Sequence, residues 1–241
     1  MTDRTALIKE IFAINGLDKH LNEPSILKLN SLIDRMLEVN EKMNLTAITD
    51  GDDIVLKHVA DSAVIIDHIP QNAKLLDVGT GAGFPALPVA ILRPDVKVYA
   101  LDSTAKKLKY IDDTAAILEL DNVKTVSGRA EELGKTVNYR ERFDVVTARA
   151  VAGLNILTEL CLPFVKVGGQ FIAMKGSAAE EELSAAKSGV IQLGGSKFTD
   201  KELILTYNDT QLQRHLCFSK KLKPTPESFP RMYNRIAKKP L

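Results

Sequence analysis

Cysteine is scarce: Cys161 and Cys217 are the only two in 241 residues. They are too few and too far apart for a disulfide framework or a thiolate metal site, and the four histidines form no cluster that replaces them. No metal is therefore expected. No apolar run approaches the roughly 18 residues of a membrane span. The N-terminus MTDRTALIKE is polar and has no signal-peptide core. These absences place the expected working site in the cytoplasm, with no membrane partner. Glycine-rich linkers and internal repeats are missing too. What remains is an ordinary globular composition, 45% hydrophobic and 26% charged, with core enough for one domain plus an extension.

What is present is concentrated in residues 74–94, KLLDVGTGAGFPALPVAILRP. A short apolar run containing Asp77 leads to Gly79, Gly81 and Gly83 at alternate positions, and a second apolar run follows. The pattern predicts a buried strand, a tight glycine turn and a helix. Glycine is needed where the backbone takes positive φ or approaches a ligand with no Cβ in the way. The helix start behind such a turn offers free N–H groups and a positive dipole end. The unit is thus a cradle for a nucleotide or nucleoside. The third glycine of the dinucleotide fingerprint G-x-G-x-x-G would fall on Phe84, which disfavours an NAD-dependent oxidoreductase. The next predicted strand, VKVYALDS over 96–103, ends in Asp102, 19 residues beyond Gly83. A carboxylate at that separation, on the second strand's tip, can accept both hydroxyls of an adenosine ribose.

Ahead of this unit the spacing predicts helices over 3–14, from near Asn22 with Pro24 in the first turn, and over 52–70 up to Pro70. They are expected to form an N-terminal helical cap, 1–70. Residues 40–49 read as a connector, and His58 and Asp61 as a structural rather than catalytic pair. From Lys74 on, strand-like and helix-like segments alternate, the signature of a parallel α/β sheet. Strands are expected at 122–127 and 142–151, after a turn at Gly168-Gly169 up to Lys175, near 191–207, and at 214–222, which closes a core of 71–222. The remaining 223–241 read as a basic tail. Residues 214–241 hold eight lysines and arginines against Glu227 alone, which points to a polyanionic partner reached from one side.

The end of the fourth strand reads Thr147-Ala148-Arg149-Ala150. The D/N-P-P-[YFW] motif of amino-group methyltransferases is not there. Cys161 precedes Leu162-Pro163 in a predicted helix, unlike the Pro-Cys setting of enzymes that attack pyrimidine C5. With no covalent nucleophile or general base in view, a target that already carries a bare lone pair suits the chain, and guanine N7 is one.

The turn from Asp77 to Gly83 is similar to motif I of class I S-adenosylmethionine-dependent methyltransferases. The segments NEKMNLTAIT, LKHVADS, DVGTGAGFPALPVAI, LDSTAKKLKYI, RAEEL, FDVVTARAVAGL and LPFVKVGGQFIAMKG, in this order, resemble the ribosomal small-subunit RNA methyltransferase G family, also called glucose-inhibited division protein B. The ending TPESFPRMYNRIAKKPL resembles the family's, with Met232-Tyr233-Asn234 where a Lys-x-Gly-like run is commoner. The resemblance implies a class I Rossmann-like fold, a mostly parallel seven-stranded sheet, behind the helical extension. It implies methyl transfer from S-adenosylmethionine, giving S-adenosylhomocysteine, to N7 of a guanine in a decoding-region loop of 16S rRNA. The partner is then 16S rRNA or an assembling small subunit, with the protein a monomer. By the same resemblance Gly79, Gly81 and Phe84 line the donor pocket, Asp102, Ser103 and Thr104 meet the ribose, and Ala130 and Glu131 sit by the adenine. Arg149 borders donor and target as a positioning group. Lys175, Lys220, Lys221, Lys223 and Arg231 are the expected RNA contacts. A small-molecule methyltransferase and a non-catalytic RNA-binding protein on the same scaffold are the competing readings.

Overall fold

The computed structural model describes residues 3–241. Seven strands form one sheet: β1 (Lys74–Val78), β2 (Lys97–Asp102), β3 (Val123–Ser127), β4 (Phe143–Arg149), β5 (Val165–Lys175), β6 (Thr199–Tyr207) and β7 (Thr210–Lys220). Their order is β3-β2-β1-β4-β5-β7-β6. β1 to β5 pair in parallel, and β7 runs antiparallel to both β5 and β6. β1 and β4 lie in the middle, where the winding of the chain reverses. Leu75, Leu76, Asp77 and Val78 are all buried, because helices cover both faces of a central parallel strand. The reversal leaves a crevice at the carboxyl ends of β1 and β4, where open α/β sheets bind ligands.

The two faces have different coverings. Leu75, Val98 and Val145 on one face share a core with the N-terminal helices α1 (Thr5–Ile14) and α2 (Glu23–Met43) and with helices Ala86–Leu92 and Ala105–Ile117. Leu76, Val78 and Val146 on the other pack with helix Leu154–Cys161 and with Phe229 and Ile236 from the C-terminal segment. Residues 223–241 are therefore folded onto the sheet. Arg140 holds them there, its guanidinium donating to the carbonyls of Thr225 (2.6 Å) and Phe229 (2.8 Å).

Several elements depart from their expected bounds for local reasons. α2 opens on a capping box between Asn22 and Ser25 and runs to Met43, one turn into the expected connector. Asn40 then folds the connector back by bonding Thr46 through both its side-chain amide and its carbonyl. The expected 52–70 helix stops at Ala63, and its middle, Val55–Ala60, is a π-helix. Gly168 and Gly169 lie inside β5, not in a turn before it. A Cβ on Gly169 would sit 2.7 Å from the Asp144 carbonyl oxygen, and the β4–β5 register shifts beside it. These glycines serve a bulge and a close backbone approach. The sixth strand begins at Thr199; residues expected as strand before it include the end of helix Lys187–Gln192.

Candidate functional site

The glycine turn is bolted to the second strand. Gly79 and Thr80 both donate their backbone N–H to the Leu101 carbonyl, at 2.9 and 3.0 Å. Gly79, Gly81 and Gly83 take φ of +72°, +59° and +84°. A Cβ on Gly83 would meet Leu87 at 2.6 Å and one on Gly79 would meet Val151 at 2.6 Å, whereas nothing lies closer to Gly81 than its neighbour's carbonyl at 3.9 Å. Two of the glycines let the turn pack, and the third leaves open space. Asp102 completes the frame by accepting from Gly81 N (3.1 Å) and Thr104 N (2.8 Å). Each carboxylate oxygen keeps a second lone pair.

This frame walls a cleft of about 530 Å³ at the strands' carboxyl ends. Gly79, Gly81 and Phe84 line it from the turn, Asp102, Ser103 and Thr104 from β2. Ala130 and Glu131 line it after β3 and Arg149 after β4. All nine residues expected around a donor thus stand in one wall, and a volume of this size suits a nucleoside-sized ligand. Lys107 and Tyr233 also line it and went unforeseen. Tyr233 arrives on the C-terminal helix Tyr233–Lys238, which no local sequence pattern ties to the crevice. Beneath the turn Asp77 is wholly buried. It accepts from the Thr147 hydroxyl at 3.3 Å, and its other oxygen has no partner among the described residues. Burial raises its pKa to about 6, against the smaller pull of Thr80, Arg149 and Thr147.

A second cleft, of about 380 Å³, shares His58, Arg149 and Ala150 with the first. Arg149 is fixed where they meet. Its Nη1 donates to Asp61 Oδ2 at 2.8 Å and to the Lys57 carbonyl at 3.3 Å, and its Nη2 lies 3.4 Å from His58 Nδ1. The guanidinium stands 5.6 Å from the Phe84 ring centre. His58 reaches Thr46 Oγ1 at 2.8 Å through Nε2. Burial, aided by Arg149, drives the His58 pKa down to about 4, so the ring is neutral at physiological pH, with Nδ1 as acceptor. The expected His58–Asp61 pair is replaced by two separate contacts to Arg149. The π-helix sets both residues on that side, and Ala150, at φ +55°, carries the chain sharply away from the shared wall.

Three of the expected RNA contacts are engaged inside the protein. Lys221 is fully buried, its ammonium donating to the Leu162 carbonyl (2.6 Å) and the Thr225 hydroxyl (2.5 Å) and lying 3.5 Å from Glu141. Burial lowers its pKa to about 8. Arg231 forks onto the buried Glu159 carboxylate at 2.6–3.1 Å. Lys175 lines the second cleft but pairs with Glu182 at 2.6 Å and donates to the Ala152 carbonyl. For Lys221 and Arg231 the partner carboxylate is remote in sequence, so only the tertiary fold reveals it; Glu182 stands just past the end of the strand that bears Lys175. Lys220 and Lys223 are exposed and make no ion pair among the described residues.

Among the described residues no group of side chains is arranged to hold a metal ion, and no helix is long and apolar enough to cross a membrane. Residues 25–215 match the family model described as rRNA small subunit methyltransferase G. The chain is 40% identical over 231 residues to the ribosomal RNA small subunit methyltransferase G of Clostridium novyi, covering 95% of this chain and 94% of that protein. It is 46% identical over 210 residues to the Lactobacillus helveticus protein of the same name, covering 86% and 87%. Among solved structures, TYW2 of M. jannaschii in complex with AdoMet shares the fold with a TM-score of 0.55 at 15% identity, over 73% of this chain and 80% of that one. A putative O-methyltransferase from Klebsiella pneumoniae does so with a TM-score of 0.54 at 15% identity, over 80% and 90%.

Proposed function

Because the chain belongs to the rRNA small subunit methyltransferase G family, we propose that it transfers a methyl group from S-adenosylmethionine to N7 of a guanine in 16S rRNA. The observation that carries this reading is the pair of clefts meeting at Arg149, one framed by a glycine turn and a ribose-type carboxylate, the other opening beside it. S-adenosylmethionine supplies a methyl group on a positively charged sulfur, already activated for transfer.

The protein's residues then have to bind, orient and exclude. The open space at Gly81 admits the donor against bare backbone, and the outer lone pairs of Asp102 accept the ribose hydroxyls. Ala130 and Glu131 border the adenine, and Phe84 and Arg149 border the reacting end. On the acceptor side no proton has to leave, because guanine N7 carries a free lone pair. The residues match that economy. His58 Nδ1 faces Arg149, and Cys161 is buried with its thiol pKa pushed well up, first by burial and then by Asp77. Arg149 is a fixed cation beside the acceptor cleft. Guanine offers O6 and N7 on one edge. A guanidinium bonded to N7 would occupy the attacking lone pair, so Arg149 is assigned to O6 or a flanking phosphate. Holding the reactants in line at near-attack distance is the main catalytic contribution.

The test is direct. Purified protein, S-adenosylmethionine and 16S rRNA from cells lacking the gene are incubated, naked or as small subunits, and the nucleosides are read by mass spectrometry. The expected product is 7-methylguanosine at one position. Donor binding with no methylated RNA in either form would reject the reading in favour of a small-molecule acceptor.

A further inference from the structure

Among the described residues, Asp61 is the only carboxylate paired with two guanidinium groups, and they come from distant parts of the chain. It is 3% exposed. Its Oδ2 accepts from Arg149 at 2.8 Å and its Oδ1 from Arg214 Nε at 2.7 Å. Arg149 comes from the end of β4 and Arg214 from β7, while Asp61 follows the π-helix. All three line the second cleft, with Lys57 and Lys175. One buried anion thus fixes two cations at the rim of the cleft assigned above to the acceptor. The cluster keeps a net positive charge.

Arg214 is not fully used by the protein. Its Nε bonds Asp61, its Nη1 donates to the Gln213 carbonyl at 3.1 Å, and its Nη2 has no partner among the described residues. The side chain keeps 24% of its exposure. With Nε committed, the Nε–Nη2 edge is taken, and three N–H donors on Nη1 and Nη2 remain beside a positive charge, a set that suits the oxygens of a phosphate. That is the chemistry of a phosphate contact, which positions a strand without reading its sequence. The neighbouring cations do not duplicate it. Lys57 is held by Asp53 at 2.7 Å and Lys175 by Glu182 at 2.6 Å.

We infer that Arg214 binds a phosphodiester of the rRNA strand that carries the target guanine, and that Asp61 is a positioning residue setting Arg214 and Arg149 as a pair. This rests on the second cleft being the acceptor side. A free phosphate or mononucleotide presents the same chemistry, so the test must separate it from a strand.

The full-length protein is titrated with 16S rRNA across a salt series, and Arg214→Gln is compared with the parent. Loss of one phosphate contact weakens rRNA binding by about tenfold near 100 mM salt and lowers the log–log salt slope by about one. Arg214→Lys restores most of that slope, because a point charge suffices. S-adenosylmethionine affinity is the same in all three proteins. Asp61→Asn keeps both cations and so keeps the slope, but lowers the methylation rate at saturating rRNA by releasing Arg149. A slope for Arg214→Gln equal to the parent's overturns the inference, whatever happens to melting temperature. So does an effect matched by AMP or inorganic phosphate competing at the same concentrations as rRNA, which would make this a small-anion site. The binding curve is read without turnover. A parent that binds rRNA but leaves it unmethylated counts against the proposed function, and the slope still judges Arg214.

Discussion

At the scale of single residues, the sequence exposes side chains that a local motif requires and hides those whose partners are far away. Asp102 was legible because strand, turn and helix have fixed lengths, so a carboxylate at that separation must stand by the turn. Its bonds to Gly81 N and Thr104 N were not, and they change what a mutation removes. Asp102→Ala loses a charged ribose acceptor and loosens the turn. S-adenosylmethionine affinity is expected to fall at least about tenfold, as for a lost charge-assisted bond. Asp102→Asn should fall between, and calorimetry giving unchanged affinity for Ala would end the assignment. Arg149 makes its contacts through two nitrogens of a planar fork, which lysine cannot reproduce. Arg149→Lys is expected to bind donor normally yet turn over about 100-fold more slowly, as when a fixed electrostatic group is displaced. A normal single-turnover rate would refute that role. Asp77 gives a pH dependence of definite sign. Its folded pKa of about 6 exceeds the ordinary 3.8, so the folded state holds the extra proton between those values. Its contribution to stability is therefore greatest below pH 3.8, declines as pH rises to 6, and then levels at a cost of about 3 kcal/mol. Asp77→Asn should gain stability over the parent progressively across that window, measured by urea midpoints. A difference that does not vary with pH would mean that the carboxyl is ionised throughout.

At the scale of elements, periodicity found nearly every strand and helix but not their irregular turns. β1 and β2 stood out as apolar runs, and the crevice at the carboxyl ends of β1 and β4 follows from the reversal of the winding there. The π-helix at Val55–Ala60 carries no periodic signal, yet it brings His58 and Asp61 to Arg149. Reading them as a mutual pair was reasonable from a spacing of three residues in an ordinary helix. The C-terminal cations read from sequence as a basic tail, and the partners of Lys221 and Arg231 were not legible there because Glu141 and Glu159 precede them by some seventy residues or more. Arg231→Ala would leave Glu159, wholly buried, without its cation. Breaking such a pair from one side costs about 3 kcal/mol. The mutant is expected to show that loss in urea denaturation while salt dependence of rRNA binding stays unchanged. A stable Arg231→Ala protein with weakened rRNA binding would return Arg231 to the RNA-contacting set.

At the scale of the whole molecule, the positive charge of the C-terminal stretch divides into a fixed part and a free part. Lys221 and Arg231 lie against carboxylates, and Arg214 shares Asp61, whereas Lys220, Lys223, Arg235, Lys238 and Lys239 are exposed. The second group, with the unpartnered donors of Arg214, can neutralise phosphates without unmaking the fold. The segment that bears it also lends Tyr233 to the wall of the donor cleft, so these charges travel with an element already anchored near the site. Cations spread in this way attract a nucleic-acid backbone, and each phosphate neutralised steepens the fall of affinity with salt by a little under one log unit. Changing Lys220, Lys223, Lys238 and Lys239 together to Ala should thus weaken rRNA binding and flatten its log–log salt slope by about three. Donor affinity should not move, because none of the four lines the donor cleft. Melting temperature should hold as well, since surface charges without partners contribute little to stability. If the quadruple variant keeps the parent's slope, the stretch serves only to cover the sheet, and the strand must be held at the acceptor cleft alone.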